Sequence, residues 1–171
     1  MQRKMKFLSL LLPVVCAACS WACNPINPAA ISDQVPTLVT NAEDAMKGFF
    51  TALNQGDYSQ AAERYGGSYD VLQGYTPTLE PEDHAALLQA GCEFNGLMCL
   101  KVRETLSIQT GDPHEFFFEV EFANSDGSTF LLGPCCGETE ETMPPESVFI
   151  IRVRCQEDGT CQVLDLPPYV P

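Results

Sequence analysis

The chain has 171 residues, enough for one domain with short appended segments. Its 23 acidic and nine basic residues give a formal net charge of −14, which repels a phosphate backbone and argues against nucleic acid as a partner. Nine cysteines fit an oxidising exterior better than a reducing cytosol, and no hydrophobic run reaches the length of a membrane-spanning helix.

At the N-terminus, Arg3, Lys4 and Lys6 form a positive segment, FLSLLLPVV (residues 7–15) is a short apolar core, and Ala17 and Ala18 lead to Cys19. This three-part build predicts a secretory signal peptide over residues 1–18. Cys16, Cys19 and Cys23 crowd the stretch VCAACSWACNP. Their spacing is loosely that of iron–sulfur ligation, but a cluster needs a folded cage of four thiolates, and this tract sits at the seam of a segment expected to be removed. No metal or cofactor is expected there. The stretch resembles the lipobox of bacterial lipoproteins, in which a small residue precedes the cysteine that receives diacylglycerol. Ala17, Ala18 and Ser20 match it, whereas Cys16 stands where that family prefers Leu, Val or Ile. The resemblance implies an exported protein held to the extracytoplasmic face of a cell membrane through lipid on Cys19. Cleavage after Ala22, releasing a soluble protein, is the competing expectation. Loss of residues 1–18 removes three basic and no acidic residues and takes the charge from −14 to about −17, an acidity that keeps a surface protein soluble. Residues 19–40 carry Pro25, Pro28 and Pro36 without sustained periodicity and read as a tether, leaving 41–171 as a single domain.

The domain opens with helical spacing. Ala42, Ala45, Met46, Phe49, Phe50 and Leu53 fall on one face of a helix that Thr40 or Asn41 would cap and Gly56 would stop. In DYSQAAERYGG, Asp57 with Gln60 matches a capping box, so Asp57 is a cap and not a catalytic acid; Tyr58, Ala61, Ala62 and Tyr65 continue the spacing. A third helix is expected from Pro81 through Ala90, with Gly91 as its stop. After Asn95–Gly96 the period becomes two. Leu100, Val102, Glu104, Leu106 and Ile108 share one parity, and Phe116, Phe118, Val120 and Phe122 form the apolar face of the next strand. Residues 128–132 suggest a short strand, and VFIIRVRC (148–155) with CQVLDL (161–166) suggests a closing hairpin around Asp158–Gly159. Helices followed by antiparallel strands predict an α+β fold.

The segment AMKGFFTALNQGDYSQAAERY is similar to the opening helix pair of the nuclear-transport-factor-2-like superfamily, which includes ketosteroid-isomerase-like and many exported bacterial domains. The aromatic-rich helix, the turn N-Q-G-D, and the Ala-Ala second helix ahead of a strand meander carry the likeness. It implies N-terminal helices packed on a curved antiparallel sheet, a cone with a pocket, and it implies no particular activity.

Chemistry is sparse. His84 and His114 lack a partner at metal-ligating spacing, and no nucleophile elbow or phosphate loop occurs. The acidic loop 137–147 lacks the spacing of a calcium loop. Two carboxylates are pocket candidates. Glu104 shares the inward parity, and Asp165 points inward if Cys155 and Cys161 face each other directly; inside an apolar cone either would have the raised pKa of a general acid or base. The expected role is a non-catalytic module binding a small ligand or a protein, with a small isomerase or hydrolase using Glu104 or Asp165 as the alternative. Cys155–Cys161 is the expected disulfide across the QEDGT turn, and Cys92–Cys99 a second local one. Cys135 and Cys136 would join each other or bond elsewhere. Strand parity also places Lys101, Arg103, Glu119, Glu121, Arg152 and Arg154 on one outer face as a ladder of opposite charges, with any ligand entering the concave side.

Overall fold

The computed structural model describes residues 28–109 and 112–170, with side chains described for 37–105 and 112–170. The expected signal peptide, Cys16, Cys19 with its lipid, and Cys23 lie outside the described residues. Four helices come first: α1 (Pro28–Gln55), α2 (Tyr58–Arg64), α3 (Asp70–Tyr75) and α4 (His84–Phe94). Four strands come next: β1 (Lys101–Gln109), β2 (Glu115–Ala123), β3 (Val148–Cys155) and β4 (Cys161–Val163). They form a curled antiparallel meander in the order β1-β2-β3-β4, with α1 lying against all four strands. The α+β, cone-like layout is as expected from the order of elements.

The helix α1 buries the face read from its spacing: Ala42, Met46, Phe49 and Phe50 are fully buried and Leu53 nearly so. It starts well before Asn41, however, and takes in residues 28–40 of the expected tether. Pro28 suits a first helical turn. Pro36 removes one backbone donor from the helix interior, a loss of about 3 kcal/mol in an isolated helix. Leu38 and Val39 pack against the core and extend the buried face toward that proline, so tertiary burial outweighs the local penalty. At the other end Gly56 takes φ +76°, and Asp57 N–H donates to the Ala52 carbonyl at 2.9 Å, closing the helix. Asp57 then caps α2 by accepting from Gln60 N–H at 3.2 Å.

The third predicted helix is displaced. It runs to Phe94, capped by Asp83 accepting from Ala86 N–H at 3.1 Å, and Gly91 lies inside it. A Cβ at Gly91 would stand 2.7 Å from Leu97 Cδ1 and 3.0 Å from Leu72 Cδ2, so this glycine permits close packing and does not end the helix. Helix α3, not anticipated from the sequence, supplies Leu72 to that contact. The chain end also packs here, with Met98 N–H donating to Pro168 carbonyl at 2.8 Å and Val170 N–H to Gly96 carbonyl at 2.9 Å.

Strand β2 alternates as read, with Phe116, Phe118, Val120 and Phe122 buried. Strand β3 matches it with Ile151, Val153 and Cys155 buried and Arg152 and Arg154 exposed. Strand β1 departs from its expected parity. Val102 pairs with Phe122, but Glu104 pairs with Glu121 and Thr105 with Val120, so a bulge at Arg103 shifts the register. Residues 128–132 make isolated bridges, Ala123 with Thr129 and Leu132 with Glu146, and form no named strand. Strand β4 stops at Val163, short of the expected Leu166.

Both expected disulfides are present. Cys92 and Cys99 have Cα atoms 5.6 Å apart, and Cys155 and Cys161, directly opposite in the β3–β4 ladder, have theirs 4.0 Å apart.

Candidate functional site

The interior of the cone is filled. An aromatic chain crosses it: Phe130 lies 6.0 Å from Phe149, Phe149 5.6 Å from Phe122, Phe122 4.9 Å from Phe50, and Phe50 5.1 Å from Phe49, between ring centroids. It continues through Tyr65 (5.6 Å) and Tyr69 (5.0 Å) to His84, whose ring stacks on Tyr69 at 4.0 Å. Among the described residues no polar or charged residue is buried in this core. Two side-chain polar atoms are nevertheless shielded from solvent without a hydrogen-bond partner: Tyr69 Oη, against the core, and His114 Nδ1, at the turn into β2. Burial pushes the Tyr69 phenol up to about 12. Burial also raises Tyr65, helped by the neighbouring Tyr69 and Asp165, while its hydroxyl donates to Ser68 carbonyl at 3.1 Å.

Neither predicted pocket carboxylate reaches this interior. Glu104 is exposed, because the bulge at Arg103 turns it to the outer face opposite Glu121. Thr105 takes the inward position instead, and its hydroxyl donates to Glu43 Oε1 of α1 at 2.8 Å. Hydrogen bonds from Lys47 and Thr105 lower the pKa of Glu43. The Cys155–Cys161 register is the one that would send Asp165 inward, but the chain has left the strand by then. Asp165 serves as a surrogate ladder partner: Oδ2 accepts from Arg152 N–H at 2.7 Å, and Oδ1 accepts from Arg152 Nη2 at 2.6 Å. This contact also raises the Arg152 guanidinium. Asp165 is therefore a structural anion clamped by an arginine fork.

The outer charge ladder is present only in part. Arg103 pairs with Glu121 at 3.8 Å and Arg154 with Glu115 at 3.0 Å. Glu119 instead stands opposite Ile150 and forms none of the ion pairs among the described residues, because the β2–β3 register sets Arg152 opposite Phe117. Val148 and Ile150 add apolar surface to this face.

Surface depressions among the described residues include two beside histidine or cysteine side chains that could carry chemistry. One, of about 590 Å³, lies between α1 and the β3–β4 turn and is lined by Thr37, Leu38, Asn41, His114, Glu157 and Asp158. Asn41 Nδ2 donates across it to Gly159 carbonyl at 3.3 Å. Asp158 is occupied by the turn itself, accepting from Thr160 N–H at 2.8 Å, a bond that lowers its pKa. The second depression, of about 630 Å³, is mainly apolar, with Met98, Phe130, Leu131, Leu132, Cys135 and Cys136 in its walls. The cysteine pair is evident in the sequence but its setting is not, because that depends on the Leu132–Glu146 bridge and on the pair sharing a depression with Met98 and Phe130. Among the described residues no three His, Cys, Asp or Glu side chains converge to hold a metal ion, and Glu138, Glu140 and Glu141 of the acidic loop are exposed. No helix in the described residues is long and apolar enough to cross a membrane.

No known family model matches the chain, and no curated protein is detectably similar to it.

Proposed function

We propose that this protein is an exported module, anchored by lipid on Cys19 to the outer side of a membrane, that binds a ligand or protein partner at its surface and carries out no catalysis. The observation that supports this reading is the packed interior: four phenylalanines, Phe49, Phe50, Phe118 and Phe122, are fully buried where a cone-shaped enzyme would need an open, polar-lined cavity. Glu104 and Asp165, the carboxylates on which an isomerase or hydrolase reading depends, lie outside that interior. The three-part N-terminal signal and the small residues before Cys19 support the anchor.

Two measurements test the reading. Intact-mass analysis of the native membrane fraction should find a chain beginning at acylated Cys19; an unmodified chain beginning at Cys23 in the medium would overturn the anchor. A methyl and aromatic NMR titration with a panel of small apolar and acyl compounds should shift only surface resonances. A ligand that moves Phe50, Phe118 and Phe122 together would restore the interior as the site.

A further inference from the structure

Loop 133–146 is pinned at its base by Leu132 and Glu146, which exchange backbone hydrogen bonds of 2.8 and 3.0 Å. Within it the sequence GPCCG sets two cysteines side by side, and their sulfurs stand 2.8 Å apart. That is closer than even carbon atoms sit in ordinary packing contact, about 3.5–4.0 Å. Cys136 is also the one non-glycine residue with positive φ (61°) among the described residues, followed by Gly137 at 91°. The turn they form returns Glu138 N–H to Cys135 carbonyl at 3.0 Å. Left-handed backbone at a non-glycine residue persists only where its surroundings impose it, and here it holds two sulfurs together. The other four described cysteines already form disulfides, so this pair alone among them is free to react.

We propose that Cys135 and Cys136 form a thiol–disulfide exchange site, closing to a vicinal disulfide on meeting a disulfide donor and reopening on meeting a thiol reductant. The donor class is a small-molecule disulfide or an oxidised thiol oxidoreductase. Cys136 is exposed and Cys135 half-buried, which sets the order of events. The Cys136 thiolate attacks one donor sulfur, the donor S–S bond breaks, and the first donor thiolate leaves and takes up the proton Cys136 gave up. Cys135 then loses its proton and attacks the Cys136 sulfur of the mixed disulfide, expelling the second donor thiolate, which takes up that proton. Each chain sulfur gives up one electron, and the donor is reduced to two thiols. The hydrogen bond with Cys136, with Glu138 contributing, raises the Cys135 thiol, consistent with its acting second. Because both cysteines border the apolar depression beside Met98 and Leu131, their redox state sets the shape of one wall.

The test equilibrates the full chain in buffers spanning reduced to oxidised glutathione, quenches with acid, alkylates and maps the loop peptide. The expected result is interconversion between a doubly alkylated peptide and one joined internally through Cys135 and Cys136, while Cys92–Cys99 and Cys155–Cys161 stay closed throughout. Methyl resonances of Met98 and Leu131 should shift between the two forms. Cys135→Ser should trap Cys136 as a lasting glutathione adduct that wild type clears, and phenylarsine oxide should block alkylation of the reduced wild type but of neither single serine variant. The proposal fails if the pair stays as two thiols at the oxidising limit, or if a glutathione adduct persists in wild type. A bond from either cysteine to Cys23 or to a second chain would also overturn it.

Discussion

Replacing Phe50 with alanine tests whether the interior is as full as the ring contacts indicate. Phe50 is fully buried, with Phe122 at 4.9 Å and Phe49 at 5.1 Å, both edge-to-face. Truncating a core phenylalanine to alanine costs about 3–5 kcal/mol, the larger values arising where neighbours cannot collapse into the space. Two aromatic partners, each adding about 0.5–1.5 kcal/mol beyond area burial, place Phe50 toward the upper end. Against a typical total of about 5–15 kcal/mol this is a large fraction, and it corresponds to a fall of roughly 10–20 °C in melting temperature for a domain of this size. Urea unfolding followed by circular dichroism measures the loss, and the variant, unlike wild type, should take up benzene or xenon in the new cavity. Phe50→Leu, which keeps more of the volume, should fall between the two. A loss below about 1 kcal/mol for the alanine variant, or uptake of benzene by wild type, would mean that the cone is not packed. The case against an interior active site would then collapse.

Glu104→Gln should raise stability at low salt by about 0.2–0.5 kcal/mol and less as salt is added, since it removes a like charge opposite Glu121; a clear loss measured by denaturant titration would mean that Glu104 has an inward role. Asp165→Ala should cost about 1–2 kcal/mol by the same assay, because the Arg152 backbone N–H and guanidinium both lose an acceptor, and no change would disprove the clamp. Opening the seven-residue Cys92–Cys99 or six-residue Cys155–Cys161 separation by paired serine substitution should cost about 2 kcal/mol each from the loop entropy restored to the unfolded chain. Tyr69 has its pKa raised from 10.0 to about 12 by burial, so folding favours its protonated form; that contribution is complete below pH 10 and is lost as pH rises toward about 12. Tyr69→Phe should remove this part of the alkaline decline and titrate one late tyrosinate out of the absorbance at 295 nm, without loss of stability at neutral pH.

The elements most legible in the sequence are those whose apolar residues repeat strictly. The faces of α1 and β2 carry six and four apolar residues in unbroken register, and all ten are buried. Both disulfides were accessible because each closes a short turn between neighbouring segments. Errors arise where a single residue has two physical uses. Gly91 reads equally as a helix stop or as a gap for Leu72 and Leu97, and only the partner atoms decide. Pro36 reads as a linker until Leu38 and Val39 are seen to pack against the core. The depression around Cys135 and Cys136 was not readable at all, since it depends on a loop bridging Leu132 to Glu146 across a stretch with no period.

The candidate carboxylate turns on one inserted residue. A strand's sidedness is inherited residue by residue, so an extra residue at Arg103 reverses the facing of Glu104 and Thr105: Glu104 is a pocket base without the bulge and a surface charge with it. The partner strand imposes the second outcome. Phe122 and Val120 are two inward neighbours on β2, and β1 must set an inward residue against each; Val102 meets the first and Thr105, three positions on, meets the second. Thr105 tolerates that place because its hydroxyl reaches Glu43, whereas a carboxylate there would face Val120 and the helix carboxylate Glu43 together. A trace of this is visible in VRETL, where two charged residues, Arg103 and Glu104, stand in succession in a strand that otherwise alternates. Strict alternation cannot turn both of them to solvent, and a bulge is the inexpensive way for a strand to do so. Two adjacent charges within an alternating strand therefore argue for a bulge before they argue for a buried acid.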